Sequence, residues 1–198
     1  LGVALEVTLL PTARMTAMAD SGEVDGQFVR VFAYADAHPE QVRVEEPIYQ
    51  VVFGLWVSNP ALNLSRLEDL AATGWRGIYR RGVEQCKNDL SGMLPGDRLS
   101  SVSTPELGLR MLLAGRVDFY CESDAAVLNA LYLPEFKNVT SVQPLLMYGD
   151  PIALHPYLHK KHAELAGRMA AVLKQMKADG LLERFRRVPI ILDHLARV

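Results

Sequence analysis

Several features are missing from this chain, and each absence closes off a class of protein. No apolar run approaches the ~20 residues that a bilayer-spanning helix needs, so no transmembrane segment is expected. Basic residues are not in excess: 21 Lys and Arg stand against 23 Asp and Glu, a formal net charge of -2. A nucleic-acid surface needs the opposite balance, so no nucleic-acid partner is expected. GxGxxG, phosphate-loop, GxSxG and HExxH patterns are all absent, which removes the common enzyme signatures. The opening residues do not read as a signal peptide, and export is neither supported nor excluded on that ground. Cysteine is scarce, with Cys86 and Cys121 alone. Such a pair suits a reduced protein or a single disulfide in an exported one. With Cys86 on a helix and Cys121 at a strand end, two buried free thiols are the expected state.

What is present is an ordinary globular composition. The chain has 198 residues, 49% of them hydrophobic and 22% charged, enough for one large domain or two small ones. Its centre is Glu46–Pro60, EPIYQVVFGLWVSNP. Val51, Val52, Phe53, Leu55, Trp56 and Val57 are too continuous for a strand with one wet face. They suit a strand buried on both faces, as in an α/β domain. A strand–helix–strand block precedes it and an alternating set of strands and helices follows. A long strand between two such blocks fits the waist of a two-lobed protein; the alternative is one continuous sheet.

Along the chain, 3–10 (VALEVTLL) reads as a strand ended by Pro11. A short helix follows from Thr12 to Ala19, then a turn through SGEVDG and a strand from Phe28 to Tyr34. Ser65 and Glu68 have capping-box spacing for a helix over 66–72. Strands are expected at Trp75–Tyr79, Leu99–Ser103, Val117–Cys121 and Val142–Tyr148, with a helix from Val83 to Leu90. Ser103-Thr-Pro-Glu106 is the strongest helix start, with either Ser103 or Thr104 as cap. Asp124 caps the next helix. Residues 156–178 carry the longest helical pattern, and LLERFRR forms a last helix ending before Pro189.

The second half carries LSRLEDLAATGWRGIYRRG, then TPELGLRMLLAGRVDFY, then HPYLHKKHAELAGRMAAVLKQMKADGLLERF. In this order these stretches resemble the bacterial extracellular solute-binding proteins of family 3, the polar amino-acid type. SGEVDG and EPIY resemble the middle of that family's first lobe. The resemblance implies an α/β, two-lobed, type II periplasmic-binding-protein-like fold. On that map residues 1–58 plus 149–198 form lobe 1 and 59–148 form lobe 2. It also implies a small polar solute bound in an inter-lobe cleft, a membrane permease or sensor kinase as partner, a periplasmic or extracellular location, and no catalysis. The family begins with a strand and helix upstream of LGVALEV. The resemblance therefore implies a first lobe without its opening strand, with a homodimer as one repair.

The pocket departs from the family. The resemblance implies an Asp five places beyond the Asp of the GRVD-like motif, paired with the ligand ammonium; this chain has Ser123 there, flanked by Glu122 and Asp124. The ligand-binding candidates are Arg14 in a first helical turn, Arg30 after the VDG turn, and Arg80 between a strand and Gly82. Tyr49 and Tyr120 are candidates for an aromatic wall, and Glu122 and Asp124 for polar contacts. Phe53 and Trp56 read more readily as core, and Asp118 as a turn acceptor. His155, His159 and His162 have helical spacing, but Pro156 follows His155 and no further ligand completes a set, so neither metal nor cofactor is expected. The expected function is binding of a small polar or anionic solute, an amino acid among the candidates, in an inter-lobe cleft for transport or sensing. The alternatives are a degenerate structural or interaction module and, behind it, a dehydratase-like enzyme.

Overall fold

The apolar central stretch folds as strand β3 (Tyr49–Val57). Its second half is buried from both sides: Trp56 packs into one core cluster, Leu55 and Val57 into another. The structure, a computed structural model, describes residues 2–8, 10 and 12–186. The chain divides into two compact units, one running up to Gln50 and resuming at Ile152, the other formed by Val51–Pro151.

The Val51–Pro151 unit is a layered α/β assembly. Strands β4 (Gly77–Arg80), β5 (Leu99–Val102) and β6 (Phe119–Ser123) run parallel, with β4 between the other two. Strand β3 runs antiparallel to β6, with Phe53 opposite Ser123 and Trp56 opposite Tyr120. Helices α3 (Glu84–Ser91), α4 (Pro105–Leu113) and α5 (Asp124–Leu131) connect or follow the parallel strands. Alternation along each strand sends its side chains to opposite faces. Ile78 and Tyr120 enter one core with Leu109, Leu112 and Val127; Phe119 and Cys121 enter the other with Leu70, Cys86 and Leu90. The close approach of β4 to β6 requires Gly77, because a Cβ there would run into the Phe119 ring.

In the other unit, β1 (Gly26–Val31) and β2 (Gln41–Arg43) both pair antiparallel with the later part of β7 (Gln143–His159). Helix α1 (Thr12–Asp20), the single turn α2 (Tyr34–Ala37), α6 (Ala163–Ala178) and α7 (Leu181–Arg186) belong to the same unit.

Several expectations are corrected. Residues 2–8 form no strand; Val3, Leu5 and Val7 lie exposed, so the β-forming side chains have no surface to pack on. The strand from Phe28 stops at Val31, and Tyr34 opens a helical turn. The helix over 66–72 is a 3₁₀ turn, Leu67–Ala72, and its cap is Arg66, whose N–H donates to Asp69 Oδ2 at 3.1 Å, not Ser65 with Glu68. The long helix starts at Ala163 rather than 156. Residues up to His159 belong to β7, where Leu158 pairs with Gly26 and His159 with Gln41. Buried Tyr157 fixes that register by donating its hydroxyl to the carbonyls of Val31 and Phe32, at 3.0 and 2.7 Å. Ladder partners more than a hundred residues away override the local 3,4 spacing. Pro189, and so the stop expected for the last helix, lies outside the described residues, as does Pro11.

Cys86 and Cys121 form a disulfide, not two free thiols. Helix α3 packs over the face of β6 that carries Cys121, and Cα atoms 5.9 Å apart suit a bridge. Sequence alone did not show that these two elements share one core.

Candidate functional site

Three parallel strands ending at one edge define the site's location. The carboxyl ends of β5, β4 and β6 lead into the loops before α4, α3 and α5. In α/β sheets this edge is where ligands bind, because loop side chains and helix N-termini converge there. Arg80 ends β4, Glu122 and Ser123 end β6, and Ser103-Thr104 follows β5.

Glu122 is fully buried and anchors the group. Arg80 Nε donates to Glu122 Oε2 at 2.6 Å, and Arg80 Nη2 donates to Oε1 at 3.4 Å. Tyr120 adds its hydroxyl to Oε2 at 3.1 Å. Ser123 donates its backbone N–H and its hydroxyl to Oε1, at 2.8 and 3.2 Å. The Glu122 carbonyl accepts the Trp56 indole N–H at 3.1 Å. A buried carboxylate needs such a set, since burial without partners costs several kcal/mol (about 3–5 when one member of a pair is removed).

The electrostatics follow from this geometry. Burial works against the Arg80 charge, but hydrogen bonding and Coulomb attraction from Glu122 outweigh it and raise the guanidinium pKa. Burial, and then the Glu122 charge, push the Tyr120 phenol well above its ordinary value. Arg80 keeps 28% of its side chain exposed while its partner has none. The Glu122 carboxylate thus holds the inner side of the fork and leaves Nη1 uncommitted among the described residues.

Asp124 stands apart from this group. Its Oδ1 accepts the Val52 N–H at 3.1 Å and the Ala125 N–H at 2.7 Å, tying β3 to the first turn of α5. The cap of α5 is Ser123, not Asp124: its hydroxyl accepts the Ala126 N–H at 3.4 Å. Ser123 is the residue the sequence reading missed; a serine directly before an Asp-Ala-Ala helix is the signal for it. Thr104 caps α4, with Pro105 in the first position. Asp118, at the opposite end of β6, accepts the Arg76 N–H at 2.7 Å as a turn residue does.

Of the sequence candidates, the structure therefore brings Arg80, Tyr120 and Glu122 together. Tyr120 has its ring fully buried beneath Gly108 of α4, so it reaches the edge through its hydroxyl alone. Arg14, Arg30 and Tyr49 belong to the other unit. Arg14 is exposed on α1. Arg30 donates to Val29 O at 3.1 Å and Thr16 Oγ1 at 3.4 Å, and its guanidinium lies 5.1 Å from the Tyr34 ring centre. Tyr49 is half-buried at the start of β3 and has an interaction partner of its own. The three histidines go separate ways. His155 Nδ1 bonds Val44 O at 2.8 Å, His159 Nδ1 accepts the Lys161 N–H, and His162 Nε2 meets Asp25 at 2.9 Å. Among the described residues no group of three or more His, Cys, Asp or Glu is placed to hold a metal ion. Nor is any described helix long and apolar enough to cross a membrane.

This architecture is shared with solved binding proteins. A binding component of an ABC transporter from Wolinella succinogenes, solved with lysine, superposes with a TM-score of 0.77 at 15% identity, over 99% of this chain and 83% of that one. A histidine kinase sensor domain with similarity to periplasmic binding proteins gives a TM-score of 0.69 at 20% identity, over 91% and 76%. The fold is thus the type II periplasmic-binding-protein-like α/β fold, and the resemblance read from the sequence holds at that level. No family model matches the chain. An uncharacterized protein of Shewanella oneidensis is 33% identical over 187 residues, 94% of this chain and 70% of that protein, and the chain belongs to the same family as that protein.

Proposed function

We propose that the chain binds a small polar or anionic solute and catalyses no reaction on it. The observation that carries this reading is Arg80, partly exposed at the carboxyl edge of three parallel strands and fixed from behind by buried Glu122. A guanidinium held in place by one carboxylate loses little further freedom when it meets a second, so it is suited to capturing a solute anion. The neighbours in structure support the reading, since one is a transporter binding component and the other a sensor domain. Delivery to a membrane permease and signalling through a sensor kinase are both consistent with it. The disulfide favours an oxidising compartment, periplasmic or extracellular.

Calorimetric titration with amino acids, short peptides and organic acids tests the proposal. Binding at millimolar concentration or tighter is expected, and Arg80→Ala should weaken it by roughly 10- to 100-fold, the worth of a charge-assisted hydrogen bond. A folded protein that binds no member of the panel overturns the reading. It would favour a structural or interaction module.

A further inference from the structure

Three buried oxygens in the unit that holds α1, β1 and β2 accept no hydrogen bond from any described residue: Asp20 Oδ1, Gln27 Oε1 and Gln41 Oε1. Gln27 and Gln41 are 4% and 3% exposed, so bulk solvent does not meet their need. All three side chains are gathered around His38. Its Nδ1 lies 2.7 Å from Asp20 Oδ2, and its carbonyl accepts the Gln41 N–H at 2.9 Å. Its ring stacks on Tyr34 with centroids 4.0 Å apart, and the Tyr34 hydroxyl accepts from Gln27 Nε2 at 3.0 Å. Gln41 Nε2 donates to the carbonyl of Ala19, the residue before Asp20, at 2.7 Å. A carbonyl only accepts, so the Gln41 amide is fixed with its nitrogen there and its oxygen left without a donor.

The chemistry of this set selects what it receives. It offers acceptors alone: one carboxylate oxygen and two neutral amide oxygens. Asp20 is also the last residue of α1, where the negative end of the helix dipole favours positive charge. One water brings two protons and cannot meet three acceptors, whereas one cation meets all three. A divalent ion draws on more carboxylates, and among the described residues no group of three or more His, Cys, Asp or Glu is placed to hold a metal ion. A single negative charge matches a single positive one. We propose that Asp20, Gln27 and Gln41 hold an alkali-metal cation at the end of α1, tying that helix to β1 and β2. The site lies in a different unit from Arg80 and stands independently of solute binding.

The test is the unfolding temperature of the full chain in sodium, potassium and choline chlorides at equal ionic strength. Choline is too large to reach oxygens buried among side chains. The chain is expected to melt several degrees higher in at least one alkali salt than in choline, by an increment that saturates as that salt replaces choline. Asp20→Asn keeps the side-chain shape, removes the charge and sets an amide nitrogen among the acceptors; it should abolish the difference between the salts. Gln27→Glu also keeps the shape, adds a second charge and takes the Tyr34 hydroxyl as its donor. It should lower the half-saturating alkali concentration by about tenfold. Equal melting in all three salts overturns the proposal and assigns the three oxygens to water. A salt difference that persists unchanged in both variants overturns it as well, because it then arises elsewhere on the chain. If Asp20→Asn does not fold, Gln27→Glu decides alone, and an unmoved half-saturation point counts against the site.

Discussion

Glu122 accepts hydrogen bonds from Arg80, Tyr120 and Ser123, and this single carboxylate organises the edge around it. Tyr120 offers a way to read the arrangement from solution. Its phenol pKa is raised in the folded chain, by burial and then by Glu122, above the ~10 of an unfolded tyrosine. A raised pKa means that the folded state keeps its proton where the unfolded state loses it. The associated stability is therefore whole below pH ~10 and is lost as pH rises beyond that value. Tyr120→Phe should cost about 1.5–3 kcal/mol near neutrality, through the lost hydrogen bond to a charged carboxylate. It should also shallow the loss of stability above pH ~10. Urea unfolding across the alkaline range checks this; an alkaline limb as steep as that of the parent chain contradicts it. Tyr148, also raised by burial, leaves part of the limb in place. The chemistry of Arg80 and Glu122 was legible as residue types next to strand ends. Their mutual bond was not, because it joins residues 42 apart through the β4–β6 pairing.

At the scale of elements, the disulfide clamps α3 to β6 one residue before Glu122. Closing a loop of 35 residues in sequence separation stabilises by about 4 kcal/mol in the chain-entropy account. Cys86→Ala with Cys121→Ala should lower the unfolding temperature by several degrees and weaken solute binding along with it. Scanning calorimetry and titration on the double variant read both effects; unchanged affinity would show that β6 keeps its place without the clamp. Elements with local signals were the readable ones. Thr104-Pro105 announces α4, and the apolar run of β3 announces a strand buried on two faces. Misreadings arose where distant pairing decides. Residues 156–159 open the long helical pattern but lie in a strand, because β1 and β2 supply its ladder. Residues 3–7 have a strand's composition and no ladder at all.

At the scale of the whole molecule, binding should appear as stabilisation. A solute at one hundred times its dissociation constant adds about 2.7 kcal/mol to the folded state. The unfolding temperature should then rise by several degrees for a chain of this length, and the rise should shrink in Arg80→Ala. A solute that binds by calorimetry yet leaves the melting curve unmoved would contradict specific binding to the folded chain. Transport and sensing share this signature, so the genes beside this one, a permease and ATPase or a kinase, are the observation that separates them. The crossing of the chain at Gln50 and again at Ile152 has a further consequence, for synthesis. Val51–Pro151 leaves the ribosome as one continuous piece that already holds β4, β5 and β6 with their covering helices, and so can fold as it emerges. Strands β1 and β2 cannot. Strands β1 and β2 take their ladder partners from residues 154–159, made more than a hundred residues later. Both strands are thus made well before they can be folded, and through that interval they are open to a chaperone or a protease.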